Sequence, residues 1–225
     1  MENKGLLAVK KISPRTVPDM VIRVIREAIV SGSLPGGTQM KQEEWASQLD
    51  ISSSALREAL KSLAAEGLVK FIPNRGVIVT ELSVDEALEI YQIRILLETG
   101  ALELAIPNLT NQDIEFATKI LKKAEDETDN NQWGDLNWKF HEGLYRVACK
   151  PKLLGLIKTL YDNVERYMRL YFSDLKYQEL AKAEHFNLLQ ACENKNIEQA
   201  KGILRKHISD TSDVVTAYIR QLSNK

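Results

Sequence analysis

Met40–Thr80, MKQEEWASQLDISSSALREALKSLAAEGLVKFIPNRGVIVT, decides how this chain is read. Gln42 to Leu49 suits a short helix, with Trp45, Ala46 and Leu49 on one face. Asp50 breaks the pattern and Ile51 plugs a turn. Ser52 is placed to cap a second helix, its hydroxyl accepting from an orphan backbone N–H. That helix carries Leu56, Leu60, Leu63 and Gly67 on one stripe. Ser53, Ser54, Arg57 and Lys61 fall on a neighbouring stripe, at roughly 100° per residue. The first stripe packs inward, and the second is short, polar and cationic. Leu68–Ile72 and Val77–Thr80 then flank Pro73-Asn74-Arg75-Gly76, two apolar β-branched runs around a turn, which predicts a two-stranded hairpin.

Helix, turn, helix and hairpin in that order form a winged helix-turn-helix, whose second helix enters the DNA major groove. A bare helix-turn-helix pattern recurs in many helical proteins; the hairpin in register makes DNA binding the expectation. Arg75 at the hairpin tip is placed to reach a phosphate or the minor groove. Upstream, Val21, Val24, Ile25, Ala28 and Ile29 recur at helical spacing over about Val17 to Ser31. Ser-Gly-Ser-Leu-Pro-Gly-Gly ends that helix.

The length of 225 residues suits two modest domains, and 27% charged with 44% hydrophobic residues is ordinary globular composition. Net charge is −1, but the distribution is uneven: residues 1–80 hold 11 Lys/Arg against 8 Asp/Glu, and residues 81–225 hold 19 against 23. That modest asymmetry agrees with an N-terminal nucleic-acid partner and a separate acidic part. No apolar run reaches the ~18 residues of a membrane span, so no membrane partner is expected. Residues 1–17 lack a signal core and read as a flexible N-terminal arm. Cys149 and Cys192 are few and far apart, which fits a reducing cytoplasm, with both thiols read as small buried apolar residues. The expected division is thus an arm over 1–17, the winged helix-turn-helix over 18–80, and a second domain over 81–225.

From Ser83 onward the pattern is helical, with no strand-like alternation, so the fold class is mainly α: a small β-hairpin wing, then an all-α bundle of about six helices. Ser83-Val-Asp-Glu86 is a capping box. The helix it opens carries Ala87, Ile90, Ile93, Leu97, Ala101 and Leu104 as its apolar positions and ends near Pro107. Thr110 begins the next, Asp129-Asn130-Asn131 is a loop, and further helices run about Trp133–Ala148, Pro151–Ser173, Lys176–Asn194 and Ile197–Gln221. All the histidines, His141, His185 and His207, fall here on three different helices. Asn137 precedes His141 by four residues and shares its face. Neutral imidazoles aimed from facing helices suit zinc, nickel, copper or iron. Taken by themselves, scattered histidines are more commonly surface or capping residues.

The segments IREAIVSGSLPGG, SSALREALKSLAAEGLVKF and NRGVIV resemble the DNA-binding domain of the GntR family of bacterial transcription regulators over about Val17 to Thr80. YQIRILLETGALELA, LNWKFHEGLYRVACKPKLLGLI, AEHFNLLQACENKNIEQA and LRKHI are similar to the FadR-type effector domain, called FCD, over about Val84 to Leu222. The first resemblance implies that Arg57 contacts a base or phosphate, that Ser52 and Ser54 contact phosphate or base, and that Arg75 and Gly76 form the wing tip. Two places where many members carry arginine are Ser53 and Glu43 here, which implies an altered operator preference, with Lys41 and Lys61 as compensating cations. The second resemblance implies a divalent transition metal, zinc first with nickel or another open, held by Asn137, His141, His185 and His207.

A neutral amide at Asn137 implies a weaker site, or one that depends on an anionic effector. Arg94 is either a solvated or salt-bridged arginine, with Glu98 one turn on, or a carboxylate clamp for a small organic-acid effector. The expected protein is a homodimeric, effector-responsive regulator, a repressor by default, on a palindromic duplex operator. A metal-free pocket for a larger acyl ligand is the alternative within the family. A metal-dependent hydrolase is the alternative outside it, although His141-Glu142 fails to complete HExxH because position 145 is Tyr.

Overall fold

Ser52 opens the second helix of the N-terminal unit as its spacing implies: its Oγ accepts from Ala55 N at 3.2 Å, satisfying one of the orphan donors. In the computed structural model, which describes residues 16–73, 75–125, 127–171 and 175–223, the chain divides after Thr80 into two compact units. The arm expected over 1–17 lies, up to residue 15, outside the described residues, as do Asn74 of the turn and Ser173.

The first unit runs α1 (Val17–Val30), β1 (Gln39–Met40), α2 (Gln42–Gln48), α3 (Ser53–Ala65), β2 (Val69–Ile72) and β3 (Gly76–Val79). Asp50, at φ 50, makes the tight reversal between α2 and α3, in a conformation that a short polar side chain tolerates. Two bonds close the end of α3: Leu68 N to Leu63 O at 3.0 Å and Gly67 N to Ala64 O at 3.1 Å. They form a Schellman motif, with Gly67 at φ 81 free of a Cβ penalty. The hairpin pairs Val69 with Val79 and Ile72 with Gly76. β1 adds to β3 through Gln39–Ile78 and Met40–Val77, so the sheet has three strands in the order β1-β3-β2 rather than the two expected. Two residues are too few to show alternation, which is why β1 left no sequence signal. Val21, Ile25, Ile29, Leu56, Leu60, Leu63, Val77 and Val79 form the core beneath.

The second unit is a bundle of α4 (Val84–Ala105), α5 (Asn111–Glu125), α6 (Asn130–Tyr145), α7 (Pro151–Tyr171), α8 (Leu175–Glu193) and α9 (Ile197–Ser223). Six helices match the expected number, although α6 starts three residues before Trp133 and hands over to a 3₁₀ turn at Arg146–Ala148. α4 packs on α9 and α7, and α5 on α6 and α8. α6 is buried on almost every side, with Trp133, Leu136, Asn137, Trp138, Phe140, His141, Leu144 and Tyr145 all in the interior.

Two expectations need correcting. The buried face of α4 is Ala87, Tyr91, Arg94, Glu98, Ala101, Leu102 and Ala105. Ile93 and Leu104, expected inward, are exposed, because a buried Arg94–Glu98 pair occupies positions that apolar periodicity assigns to solvent. Cys149 is exposed at φ 53, where it ends the 3₁₀ turn in a left-handed conformation; only Cys192 is buried.

The capping box at α4 is complete: Ser83 N donates to Glu86 Oε2 at 2.8 Å, and Glu86 N donates to Ser83 Oγ at 3.1 Å. Ser83→Ala is expected to destabilise the second unit by about 1 kcal/mol in denaturant unfolding. A change indistinguishable from zero would mean the cap contributes nothing there.

Candidate metal centre and nucleic-acid interface

α6 sets Asn137, His141 and Tyr145 one above another at four-residue spacing, and α8 and α9 bring His185 and His207 to the same point. The ligand-capable ring nitrogens of the three histidines lie within 4.8 Å of one another. The rings are 2%, 3% and 7% exposed, in chain order, with centroids 4.7–5.5 Å apart. Three helices thus converge three imidazoles in the buried interior.

Hydrogen bonds determine two of the tautomers. Tyr145 gives its hydroxyl proton to Glu98 Oε2 at 2.8 Å, and its oxygen stands 3.2 Å from His141 Nδ1. Since the phenol proton is committed, His141 Nδ1 is the donor and its Nε2 keeps a free lone pair. His207 Nδ1 lies 2.8 Å from Glu184 Oε2, and a carboxylate only accepts, so the Nδ1 proton of His207 points at Glu184. His185 Nε2 faces His207 Nε2 at 3.3 Å. Asn137 Nδ2 donates to Tyr161 Oη at 2.9 Å, while Asn137 Oδ1 is buried with no hydrogen-bond partner. Two imidazoles held from behind by a hydroxyl and a carboxylate, a third beside them, and an orphaned amide oxygen on the face of α6 that carries His141 form a donor set that a cation suits.

Electrostatics work against charge on two of the three rings. Burial, then the neighbouring His207 and Arg94, hold His141 well below the usual histidine range. Burial, then His207 and His141, do the same for His185. Burial and Glu98 push the Tyr145 hydroxyl well up, so it stays a donor.

Arg94 projects from α4 with its guanidinium between the rings of Tyr91 and Tyr161, at 5.2 and 5.1 Å. Its Nε donates to Glu98 Oε1 at 2.7 Å. Burial works against its charge, but Glu98 and the two phenols hold its pKa above the usual value. Nη1 is buried with no hydrogen-bond partner. Arg94 is therefore buried and salt-bridged rather than solvated, and it keeps one buried donor unspent. Sequence reasoning missed Tyr145, Tyr161 and Glu184. Tyr145 carried a signal, four residues after His141 on one face; Glu184 and Tyr161 carried none, since only tertiary packing brings them in.

On the first unit, a cleft of about 660 Å³ is lined by Lys41, Gln42, Glu43, Glu44, Ser53, Ser54 and Arg57. The start of α2 and the first two turns of α3 form it, so Lys41, Ser53, Ser54 and Arg57 come together. Ser52 stands at the cap, its hydroxyl already accepting. Lys61 lies one turn past Arg57, outside the cleft, paired with Glu58 at 2.8 Å. Lys41 is paired with Glu44 at 2.9 Å. Both ion pairs are exposed and worth little, so either lysine can exchange its carboxylate for a phosphate at small cost. Arg75 and Gly76 sit at the wing turn, Gly76 at φ 82, with the Arg75 carbonyl held by Gln39 Nε2.

Among proteins of known family, residues 18–79 match the model described as "Bacterial regulatory proteins, gntR family", and residues 89–210 match the FCD domain. The HTH-type transcriptional regulator BphR of Paraburkholderia xenovorans is 28% identical, over 91% of this chain and 87% of that protein. The HTH-type transcriptional repressor RspR of Escherichia coli is 22% identical, over 88% of this chain and 89% of that one. The crystal structure of a GntR-family transcriptional regulator from Pseudomonas syringae pv. tomato is 33% identical, covers 92% of this chain and 88% of its own, and superposes with a TM-score of 0.59.

Histidines buried neutral must charge on acidification. An imidazole with a depressed folded pKa contributes stability that is present above the unfolded value, near 6.5, and is lost as pH falls through it towards the folded value. Glu165, pushed by burial up to about 7, has the opposite slope between its usual range and that value. In chelator-treated protein, His185→Asn is therefore expected to lose less stability than the unaltered chain between pH 6.5 and 5.5, a comparison in which Glu165 cancels. Equal losses in denaturant unfolding would contradict a neutral buried His185.

Proposed function

This chain belongs to the gntR family of bacterial regulatory proteins and carries an FCD domain, and from that premise we propose that it is an effector-responsive transcriptional repressor whose effector is a small carboxylate anchored at a metal centre. The relatives it matches are transcription regulators rather than enzymes. No helix among the described residues is long and apolar enough to cross a membrane. The observation that carries the effector reading is the convergence of His141, His185 and His207 in the interior, beside an arginine with an unspent buried donor.

In this reading Asn137 Oδ1 and one ring nitrogen from each histidine hold a divalent transition metal, zinc first by its preference for imidazole. When bound, that ion supplies a fixed positive charge and open coordination for a carboxylate oxygen. Arg94 Nη1 takes the ligand's other oxygen, and the Tyr91 and Tyr161 rings keep the guanidinium flat and desolvated. Glu98 orients both sides, through Arg94 Nε and through Tyr145 to His141. Since α4 carries Arg94 and Glu98 and follows the wing directly in sequence, a ligand that draws on Arg94 acts on the helix to which the DNA-binding unit is joined along the chain. The effect on operator affinity is bounded by the ligand's differential affinity for the two states.

On DNA, Arg57, Ser53 and Ser54 read the major groove, and Lys41, Lys61 and Arg75 neutralise phosphates. A two-fold dimer with one α3 per half-site implies a palindromic operator. The test is binding of the protein to duplexes from the region upstream of its own gene, measured by fluorescence anisotropy. Arg57→Ala is expected to weaken operator binding by ~1–3 kcal/mol with carboxylate binding unchanged. His185→Ala is expected to keep operator affinity in the absence of effector and to abolish the effector response. Undiminished operator binding by Arg57→Ala would move the reading face elsewhere on α3.

A further inference from the structure

The histidine cluster lacks a counter-charge for the cation it suits. His141, His185 and His207 bind through neutral nitrogens, and Asn137, an amide, is never an anion. The nearest carboxylates stand behind the ligands and share their charge with cations. Glu98, behind Tyr145, lies 2.7 Å from Arg94 Nε. Glu184, behind His207, also accepts from Lys206 Nζ at 3.2 Å, an ammonium that Asp210 binds too. On α7, beside Tyr161, Glu165 is 2.6 Å from Arg169, and Asp162 pairs with Lys158. None of the four side chains that would hold the ion is itself an anion, and Glu98 and Glu184 reach it only through another residue. A divalent ion placed there carries nearly its whole charge into a site whose histidines are at most 7% exposed, where an uncompensated charge is costly. Arg94 Nη1, a donor on a second buried cation, lacks a partner in the same region. One anion with two oxygens answers both needs.

We propose that this chain takes up its metal and a carboxylate ligand as a mutually dependent pair, and that Asn137 sets the dependence, because its neutral amide leaves to the ligand the negative charge that a carboxylate side chain there would supply. The inference rests on the metal reading above and adds to it that the metal alone is held weakly. Linkage makes the dependence reciprocal: the factor by which the carboxylate tightens the metal is the factor by which the metal tightens the carboxylate. The regulator then reports the acid and the metal jointly, and a change in free zinc alone does not fill the site.

The experiment is calorimetric titration of zinc into the full-length, chelator-treated protein at fixed pH and ionic strength. It compares acetate with acetamide and benzoate with benzamide, pairs that match in shape and differ in charge. Zinc affinity is expected to rise by about 5- to 150-fold in at least one carboxylate, the range of ordinary coupling between sites, and to be unmoved by the amides. Asn137→Asp is expected to bind zinc more tightly than the unaltered chain in the amides and to lose most of the carboxylate effect. Asn137→Ala removes a donor atom but adds no charge, so it is expected to bind zinc more weakly and to keep the carboxylate effect. Equal zinc affinity in carboxylate and amide for the unaltered chain, or an undiminished carboxylate effect in folded Asn137→Asp, would overturn the proposal while leaving the metal reading intact. Zinc bound by neither protein in any of the four solutions, with native circular dichroism, would overturn the metal reading and this proposal with it.

Discussion

Tyr145 and Glu184 hold the Nδ1 atoms of His141 and His207, and one ring nitrogen from each of the three histidines comes within 4.8 Å of the others in the interior. Nitrogens gathered that closely call for a proton or a cation among them. Burial depresses the basicity of His141 and His185, which weakens the proton as the answer. The surrounding network maintains that arrangement. Glu98 accepts from both Tyr145 and Arg94 Nε, and Arg94 is flanked by Tyr91 and Tyr161 where it is buried. Tyr161 in turn binds the Asn137 amide and fixes which end is free. A polar network of this kind inside a helical bundle is affordable only when nearly every member is satisfied, and the exceptions, Asn137 Oδ1 and Arg94 Nη1, are an acceptor and a donor that suit a metal and an acid.

The DNA-binding unit meets a different constraint. Its reading face has to be polar and exposed, so its precision must come from the scaffold beneath. Asp50 in a left-handed turn, the Ser52 cap and the Schellman closure at Gly67 fix both ends of α3, while Leu56, Leu60 and Leu63 anchor one side of it. What remains outward is Ser53, Ser54 and Arg57, facing a cleft that also presents Glu43 and Glu44.

Much of this was legible in the sequence, and the reasons differ from element to element. The winged unit announced itself in one stretch of 41 residues because its determinants are local: a cap, a left-handed glycine, a β-branched hairpin. The bundle's six helices were legible from periodicity and from Ser83 and Thr110 as starts. The orientation of α4 was not, because hydropathy places charged residues outside, and here Arg94 and Glu98 are inside as a pair while Ile93 and Leu104 are exposed. Cys149 was misplaced for a similar reason: a small apolar side chain says little about a position set by backbone conformation. At the histidine cluster the residue types were visible and the proton partners were not. Glu184 adjoins His185 in sequence yet serves His207, a relation that exists only once α8 and α9 have packed.

Metal content is the most direct test of the central claim. Protein purified without chelator, beside a variant carrying His141→Ala, His185→Ala and His207→Ala together, would be analysed for transition metals after dialysis against a buffer containing a carboxylate. About one zinc or nickel per chain, absent from the folded variant, is the result this account predicts. A folded, carboxylate-equilibrated protein with no transition metal would contradict it.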